Sequence, residues 1–361
     1  MDKKFSIKHI AAQASVSPAT VDRVLNGRSG VSLHTRQRVL NAVDELEKYY
    51  TKISLSGRQT YIDIIVHQHY GEGSEIKDSV AKVLPLMKSF SINPRIHYFL
   101  DESPVEIAQK IDHIVDMGTS GLVVTAPDEF AIRDSINRAY QTGVPTVTLD
   151  SDIPYSERIH FVGARHFSDG QSAAYLMGQW LKHSKKRILL PILSTNFFSQ
   201  VEREAGFRQL MRQRHPDCEV DVLDCGSGEY QQILDRVIQY LEVHTEVNAV
   251  YSIAGDNSAI KTAFDKAGKS IEFFMSHNLN QINKSLLLND SLNIVFDHNL
   301  EQSVYQCFLV ILEFYRYVQP VQPVLLNQTS IITAFNLHQK ENLSACDVTS
   351  AVMGGVRAVH A

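Results

Sequence analysis

Two groups of residues in this chain carry usable chemistry. Asp22, Arg23, Asn26 and Arg28 crowd donors and acceptors into seven residues. Guanidinium and amide groups of this kind pair with base edges and phosphates, so the run suits a reader of double-stranded nucleic acid. His67 and His69 sit two apart in a strand-like run and so share a face, able to line the mouth of a site. Ordinary packing explains that spacing equally well, and zinc is not expected. Nucleotide and acyl-transfer chemistry find no support. No Gly-x-Gly-x-x-Gly follows the first strand, Gly226-Ser227-Gly228 lacks a third glycine, and neither a P-loop nor a Gly-x-Ser-x-Gly elbow is present. No catalytic residues, metal or cofactor are assigned.

Positioning the first group requires helices. Ile7, Ile10, Ala11 and Ala14 fall at helical spacing, and Thr20, Val21, Val24 and Leu25 do so again after Ser17. Ser17 is a good N-cap, and Pro18 at the first helical position gives up no needed donor. The second helix therefore shows Ala19, Asp22, Arg23 and Asn26 outward. A third helix is expected over Leu33–Tyr49, with Val39, Leu40, Val43 and Leu46 on its inner face and Arg36 and Arg38 outside it. Three short helices around one small core make a DNA-binding unit.

From Ile7 to Asn26 this run resembles the headpiece of the LacI/GalR family of bacterial transcription regulators, in which isoleucine, alanine, Val-Ser, Thr-Val and Arg-Val-Leu-Asn recur at these spacings. Gly27 and Gly30-Val31-Ser32 continue the likeness. The resemblance implies a homodimer or higher oligomer on near-palindromic operator DNA. The DNA surface would comprise Ser6, Lys8, Ser17, Pro18, Ala19, Thr20, Asp22, Arg23, Asn26 and Arg28. It also implies that a linker folds into a hinge helix and wedges a leucine into the minor groove. Leu55 is the matching residue, in a segment about two residues shorter than usual that lacks the Pro-Asn start.

Charge agrees with that division. Residues 1–58 hold ten Lys or Arg against five acids, a net +5 in a chain that is −5 overall, leaving −10 for the remainder. A basic small domain on an acidic large one suits a polyanion held by the former alone. With 361 residues and 44% hydrophobic content there is room for a headpiece and a two-lobed body. Cys218, Cys225, Cys307 and Cys346 lack metal-ligand spacing and are expected to be reduced thiols. Lys3 and Lys4 lead into an amphipathic helix rather than an apolar run. A soluble, cytoplasmic, nucleoid-associated protein is therefore expected, without a membrane partner.

Beyond residue 60, strand-like runs at Tyr61–His67, Arg95–Leu100, Gly121–Thr125, Pro145–Leu149, Arg187–Leu193 and Ala249–Ile253 alternate with helical patterns such as Ser103–Met117, Phe130–Thr142 and Gln231–Val243. Pro85 should kink an apparent helix over Glu75–Phe90. The fold class is α/β: a three-helix headpiece, then two doubly wound parallel sheets like those of periplasmic binding proteins. The expected domains are 1–48 for the headpiece, 49–60 for the linker, 61–340 for a ligand-binding and dimerisation body, and 341–361 for a tail.

Open sheets of this kind bind at the carboxyl ends of their strands. There the resemblance implies a pocket made by Asp128, Asp150 with Ser151 and Asp152, Arg203, Asp256, Asn257, Asn278 and Asp297, with His69 near the mouth. Arg203 stands in an Arg-x-x-Gly-Phe run whose guanidinium holds a sugar ring in the family. Where the family tends to show Asp-Asn, this chain has Arg165-His166, a pairing that suits carboxylate or phosphate. Arg165 pointing to solvent is the equal alternative. The expected effector is a sugar, polyol, sugar acid or sugar phosphate that alters DNA affinity. The expected function is a repressor, against the alternatives of an activator, a dual regulator or a solute-binding protein.

Overall fold

The computed structural model describes residues 7–43, 59–67, 73–100, 102–181, 187–193, 196–253, 255–318 and 328–337. Expectations on Ser6, the linker with Leu55, His69, the tail and Cys346 fall outside these residues, as do those on the side chain of Lys8.

The headpiece follows its apolar spacing. Helix α1 spans Ile7–Ala14 and α2 spans Pro18–Leu25, and residues 33–43 form α3. The Thr20 amide donates to the Ser17 side chain at 3.2 Å, so the cap forms where the sequence places it. At the other end of α2 the amides of Gly27 and Arg28 donate back to Val24 and Arg23. That closure needs a left-handed residue, which Gly27 supplies at φ +66°. Ile10, Ala11, Ala14, Val21, Val24, Val39 and Ala42 form the core. Leu40 departs from expectation and is 47% exposed. Ala42 takes the inner place, because Val39, Ala42 and Val43 share a face that Leu40, about 100° round the helix, cannot join.

Two sheets follow. The first combines β1 (Thr60–His67), β2 (Ile92–Phe99), β3 (Gly121–Thr125), β4 (Thr146–Leu149) and β5 (His160–Val162) in the order β2-β1-β3-β4-β5. The second combines β6 (Arg187–Ile192), β7 (Glu219–Asp224), β8 (Val247–Tyr251), β9 (Phe273–His277), β10 (Ile294–Asp297) and β11 (Ser330–Ile332) in the order β11-β10-β9-β8-β6-β7. β11 is antiparallel to β10, whereas β6, β8 and β9 run parallel to their neighbours. The short strands β5, β10 and β11, with β7 and β9, are additions to the six runs read from sequence. Segments of three to six residues between polar turns carry too little periodicity to read.

Strand periodicity decides which helices each sheet face takes. In the first lobe Ile65, Leu122 and Val124 bury Ile107 and Ile111 of α5 (Pro104–Asp116) and Ile132 and Ile136 of α6 (Phe130–Gln141). In the second, Ile188, Leu190, Ala249 and Tyr251 face α7 (His166–Trp180) and α8 (Phe198–Arg214). The intervening Leu189 and Val250 face α9 (Tyr230–Val243) and α10 (Asn257–Lys266) on the other side. Helix α4 (Gly73–Val83) does not run through Pro85; the chain tightens into a 3-10 helix over Leu84–Phe90. A proline without an amide hydrogen interrupts the α-type ladder at that point.

Helix α12 (Leu300–Phe314) follows β10 of the second sheet yet packs with α4 against the first. Gly121 makes room for it, since a Cβ there would lie 2.7 Å from Ile311 Cγ2. The chain thus crosses between lobes after β5, after β10 and before β11. No described helix is long and apolar enough to cross a membrane.

Candidate functional site

On the headpiece, Arg23 is exposed on α2. Its neighbours are tied to one another. Asp22 accepts from Asn26 Nδ2 at 2.8 Å and from Arg28 Nη1 at 2.9 Å, and Asn26 also donates to the Asp22 carbonyl. Ser17 and Thr20 are engaged in the cap, Pro18 opens the helix, and Ala19 is exposed beside Arg23. Arg38 is structural, donating to the Ala14 carbonyl at 2.7 Å.

In the body, the strand ends converge. Asp150 follows β4 in a left-handed conformation, φ +60°, which costs a side-chain-bearing residue energy unless its surroundings hold it. Its amide donates to the Val162 carbonyl at 2.9 Å, which fixes it at the end of β5. The other lobe presents Arg203 from α8. A Cβ on Gly206 would lie 2.1 Å from the Phe167 carbonyl oxygen, and one on Gly170 2.1 Å from that of Arg203. These two glycines let α7 and α8 touch backbone to backbone, and so bring Arg203 against the start of α7.

There Arg203 Nη2 stands 4.0 Å from Asp150 Oδ1, and His298 Nε2, just past β10, stands 3.2 Å from the same oxygen. His166 Nε2 lies 2.5 Å from the Asp150 carbonyl oxygen. A carbonyl only accepts, so Nε2 carries the proton and Nδ1 of the neutral ring is left as an acceptor. Asp150 Oδ1, His166 Nδ1 and Arg203 Nε are all buried without a hydrogen-bond partner among the described residues.

Electrostatics follow from burial and these neighbours. Burial alone would raise the Asp150 carboxyl, but His298 and Arg203 outweigh it and hold it below the usual carboxylate range. Burial, helped by the Arg203 charge, pushes His166 down to about 3 and His277 well below its ordinary value. Burial raises Asp169, which accepts from Thr329 Oγ1 at 3.0 Å. His166, His298 and Thr329 stand beside or within the three interlobe crossings.

The remaining sequence-derived residues divide. Ser151 Oγ accepts from the Ser199 amide at 3.3 Å, and the Asp128 amide donates to the Asn196 carbonyl at 2.9 Å, so both join the lobes. The Asp128 carboxylate itself is held by Arg133 at 2.6 Å. Asn278 follows β9 at φ +64°, the counterpart in the second lobe of Asp150, and Asp297 accepts from the Leu279 amide at 2.9 Å.

Others are turned to local work. Asp152 is committed to Arg158 and Thr148, Asp256 caps α10 through Ser258, and Asn257 is buried between Ser276 and Asn283. Arg165 is exposed and makes no described contact with the cluster. Cys218, Cys225 and Cys307 are free thiols.

Sequence reasoning passed over His298, His277 and Asp169 as site residues. His277 stacks on Phe296 and meets the Tyr251 hydroxyl at 2.7 Å. His298 was signalled only by its place directly after Asp297 at a strand end.

Comparison with known proteins gives two family matches: residues 6–51 match bacterial regulatory proteins of the lacI family, and residues 101–314 match the periplasmic binding protein domain. The HTH-type transcriptional regulator MalR of Streptomyces coelicolor is 68% identical over 37 residues, 10% of this chain. That alignment spans only 11% of the relative's length. The sucrose operon repressor of Vibrio alginolyticus is 34% identical over 89 residues, 23% of this chain and 95% of that sequence. Among solved structures, a chain described as a LacI transcriptional regulator from Bacteroides fragilis superposes with a TM-score of 0.71 at 15% identity, covering 78% of this chain and 99% of that one. GanP, a glucose-galactose binding protein from Geobacillus stearothermophilus, gives 0.67 at 13% identity over 78% and 99%. The lacI-family match lies over the capped α1–α2 pair and the periplasmic-binding-protein match over most of the two sheets that meet at Asp150 and Arg203, and the chain belongs to the LacI family of bacterial regulatory proteins.

Proposed function

We propose that this protein is a repressor that binds a near-palindromic operator as a dimer, and that a sugar or sugar-like effector changes its DNA affinity. The headpiece would occupy 1–48, a linker 49–60 and the effector-binding body 61–340, with a tail beyond. One observation carries the reading: Asp150 of one lobe and Arg203 of the other face each other at the carboxyl ends of the strands, 4.0 Å apart and flanked by unpaired buried atoms. A ligand held by both residues fixes the angle between lobes, and a dimer converts that angle into headpiece spacing. The name of the Vibrio relative supports a sugar, as do structural neighbours solved in complex with D-arabinose or D-allose.

A single reading helix contacts few base pairs, so useful affinity needs two half-sites. Arg23→Ala should cost about 1–3 kcal/mol on the operator and relax preference at one position per half-site. Footprinting and DNA titration, with and without sugars, test the reading. A single unrepeated half-site bound by a monomer, or equal losses on specific and random DNA for Arg23→Ala, would count against it.

A further inference from the structure

Asp22 stands on the outward side of α2 at a position the family likeness leaves open, between Thr20-Val21 and Arg23-Val24-Leu25-Asn26. An acid is a poor choice there on physical grounds, because the outward side of a reading helix meets a groove walled by phosphates. Its two carboxylate oxygens show what it does instead. Oδ1 accepts from Asn26 Nδ2 at 2.8 Å, and Oδ2 accepts from Arg28 Nη1 at 2.9 Å. Asn26 Nδ2 also donates to the Asp22 carbonyl at 2.9 Å, so both protons of that amide are engaged inside the headpiece. The Arg28 amide donates to the Arg23 carbonyl at 2.8 Å, and the Arg28 carbonyl accepts from Arg36 Nη2 at 3.5 Å, which hold the Arg28 backbone beside the helix end.

These bonds remove two groups from contact with DNA. An amide reads adenine through a donor and an acceptor together, and a guanidinium grips phosphate through paired donors. Asn26 has no donor left, and Arg28 has one edge closed and its charge balanced by the carboxylate. Arg23 is exposed without a described partner. Drawing Arg28 onto a phosphate would leave the Asp22 carboxylate unpaired beside that phosphate, and the two repel. Residues 1–58 carry a net +5, so sequence-independent attraction is strong without Arg28.

We infer that Asp22 is a brake on sequence-independent DNA binding: by occupying Arg28 and Asn26 it keeps both from the phosphates and leaves Arg23 as the guanidinium free to read. The inference rests on the DNA-reading role of α2 and adds to it a residue that lowers affinity for every sequence. The test is a double-mutant cycle on the full chain, Asp22→Ala, Arg28→Ala and both together, titrated over a range of salt against a random-sequence duplex and the footprinted operator. Alanine suits an exposed helix position, and circular dichroism checks that each variant folds. Asp22→Ala should bind random DNA about fivefold tighter, the upper end for an exposed ion pair, with a salt slope steeper by about 0.9 for one added phosphate contact. Arg28→Ala should cost about threefold more in the Asp22→Ala background than in wild type, because only there is the guanidinium released. An unchanged affinity for Asp22→Ala, or a gain that is the same with and without Arg28, would overturn the inference. So would weaker binding by Asp22→Ala: on every duplex it would mean that Asp22 holds Arg28 against DNA, and on the operator alone that it accepts from a base such as cytosine through its amino group. A wild-type protein that binds neither duplex would overturn the DNA-reading role itself, and this inference with it.

Discussion

The first lobe contains a second buried aspartate with an arginine and a histidine, and it behaves differently from Asp150. Asp63 on β1 accepts from Arg95 Nε at 2.8 Å, Arg95 Nη2 at 2.5 Å and His97 Nε2 at 2.7 Å, so both oxygens are filled. The guanidinium also donates to the Gly118 carbonyl and lies 4.7 Å over the Tyr61 ring. Burial would raise the Asp63 carboxyl, but the bonds from His97, Arg95 and Thr119 outweigh it and hold it low. Asp150 has the same kinds of partner at 3.2 and 4.0 Å, with atoms left unpaired on three residues. Residue types alone therefore do not distinguish the two clusters; how far their polar atoms are paired does. A filled network has no polar atom left to offer a ligand, whereas an unfilled one has, which is the ground for the proposal that the Asp150 cluster holds the effector.

The largest expected effect breaks the filled cluster. Asp63→Ala leaves Arg95 and His97 without their shared acceptor and should cost about 3 kcal/mol of stability, the lower end for losing one partner of a buried pair because Arg95 is partly exposed. Urea unfolding measures it. The response to effector, referred to the folded fraction, should be unchanged; a loss of that response would erase the distinction between the clusters.

A smaller effect comes from pH. His166 and His277 have pKa values below the ordinary value near 6.5 when folded, His166 at about 3, so the unfolded chain binds more protons as pH falls below 6.5. The His166 contribution is complete above about pH 6.5 and is lost as pH falls towards 3, and that of His277 is lost in the same direction. Asp63 and Asp150, with lowered pKa values, lose theirs only as pH falls through the carboxylate range. Between pH 6.5 and 4.5 stability should therefore decline by up to about 1.4 kcal/mol per pH unit through His166, with a further decline of the same sign from His277. His166→Asn should flatten part of that decline. A slope unchanged by the substitution would mean that His166 titrates normally in the folded protein.

The frame of the molecule was legible because it rests on local patterns. Ser17-Pro18 had to begin a helix, and the alternation of buried runs with amphipathic stretches had to give parallel sheets. Asp150 and Arg203 were placed in one pocket by resemblance, and the structure supplies a physical reason in the close approach at Gly170 and Gly206. Asp152, Asp256 and Asn257 could not be told from pocket residues in advance. Each is a polar side chain near a strand end, and only geometry shows that Arg158 and Ser258 occupy the two aspartates and that Asn257 donates to Ser276 and Asn283, its own Oδ1 being left without a described partner. His298 and Asp169 were obscure for the converse reason, since their roles depend on crossings that bring distant segments together.

Arg203 offers the most direct test of the division between filled and unfilled clusters. Operator titrations of wild type, Arg203→Ala and Asp63→Asn, each with and without the sugar giving the largest wild-type thermal shift, measure the coupling between effector and DNA. In wild type that coupling is expected to be about 1–3 kcal/mol. The expected result is that Arg203→Ala binds operator normally without sugar and loses the coupling, while Asp63→Asn keeps it despite lower stability. An Arg203→Ala protein that shows the full wild-type shift at the same sugar concentration would contradict the assignment of this cluster as the effector site.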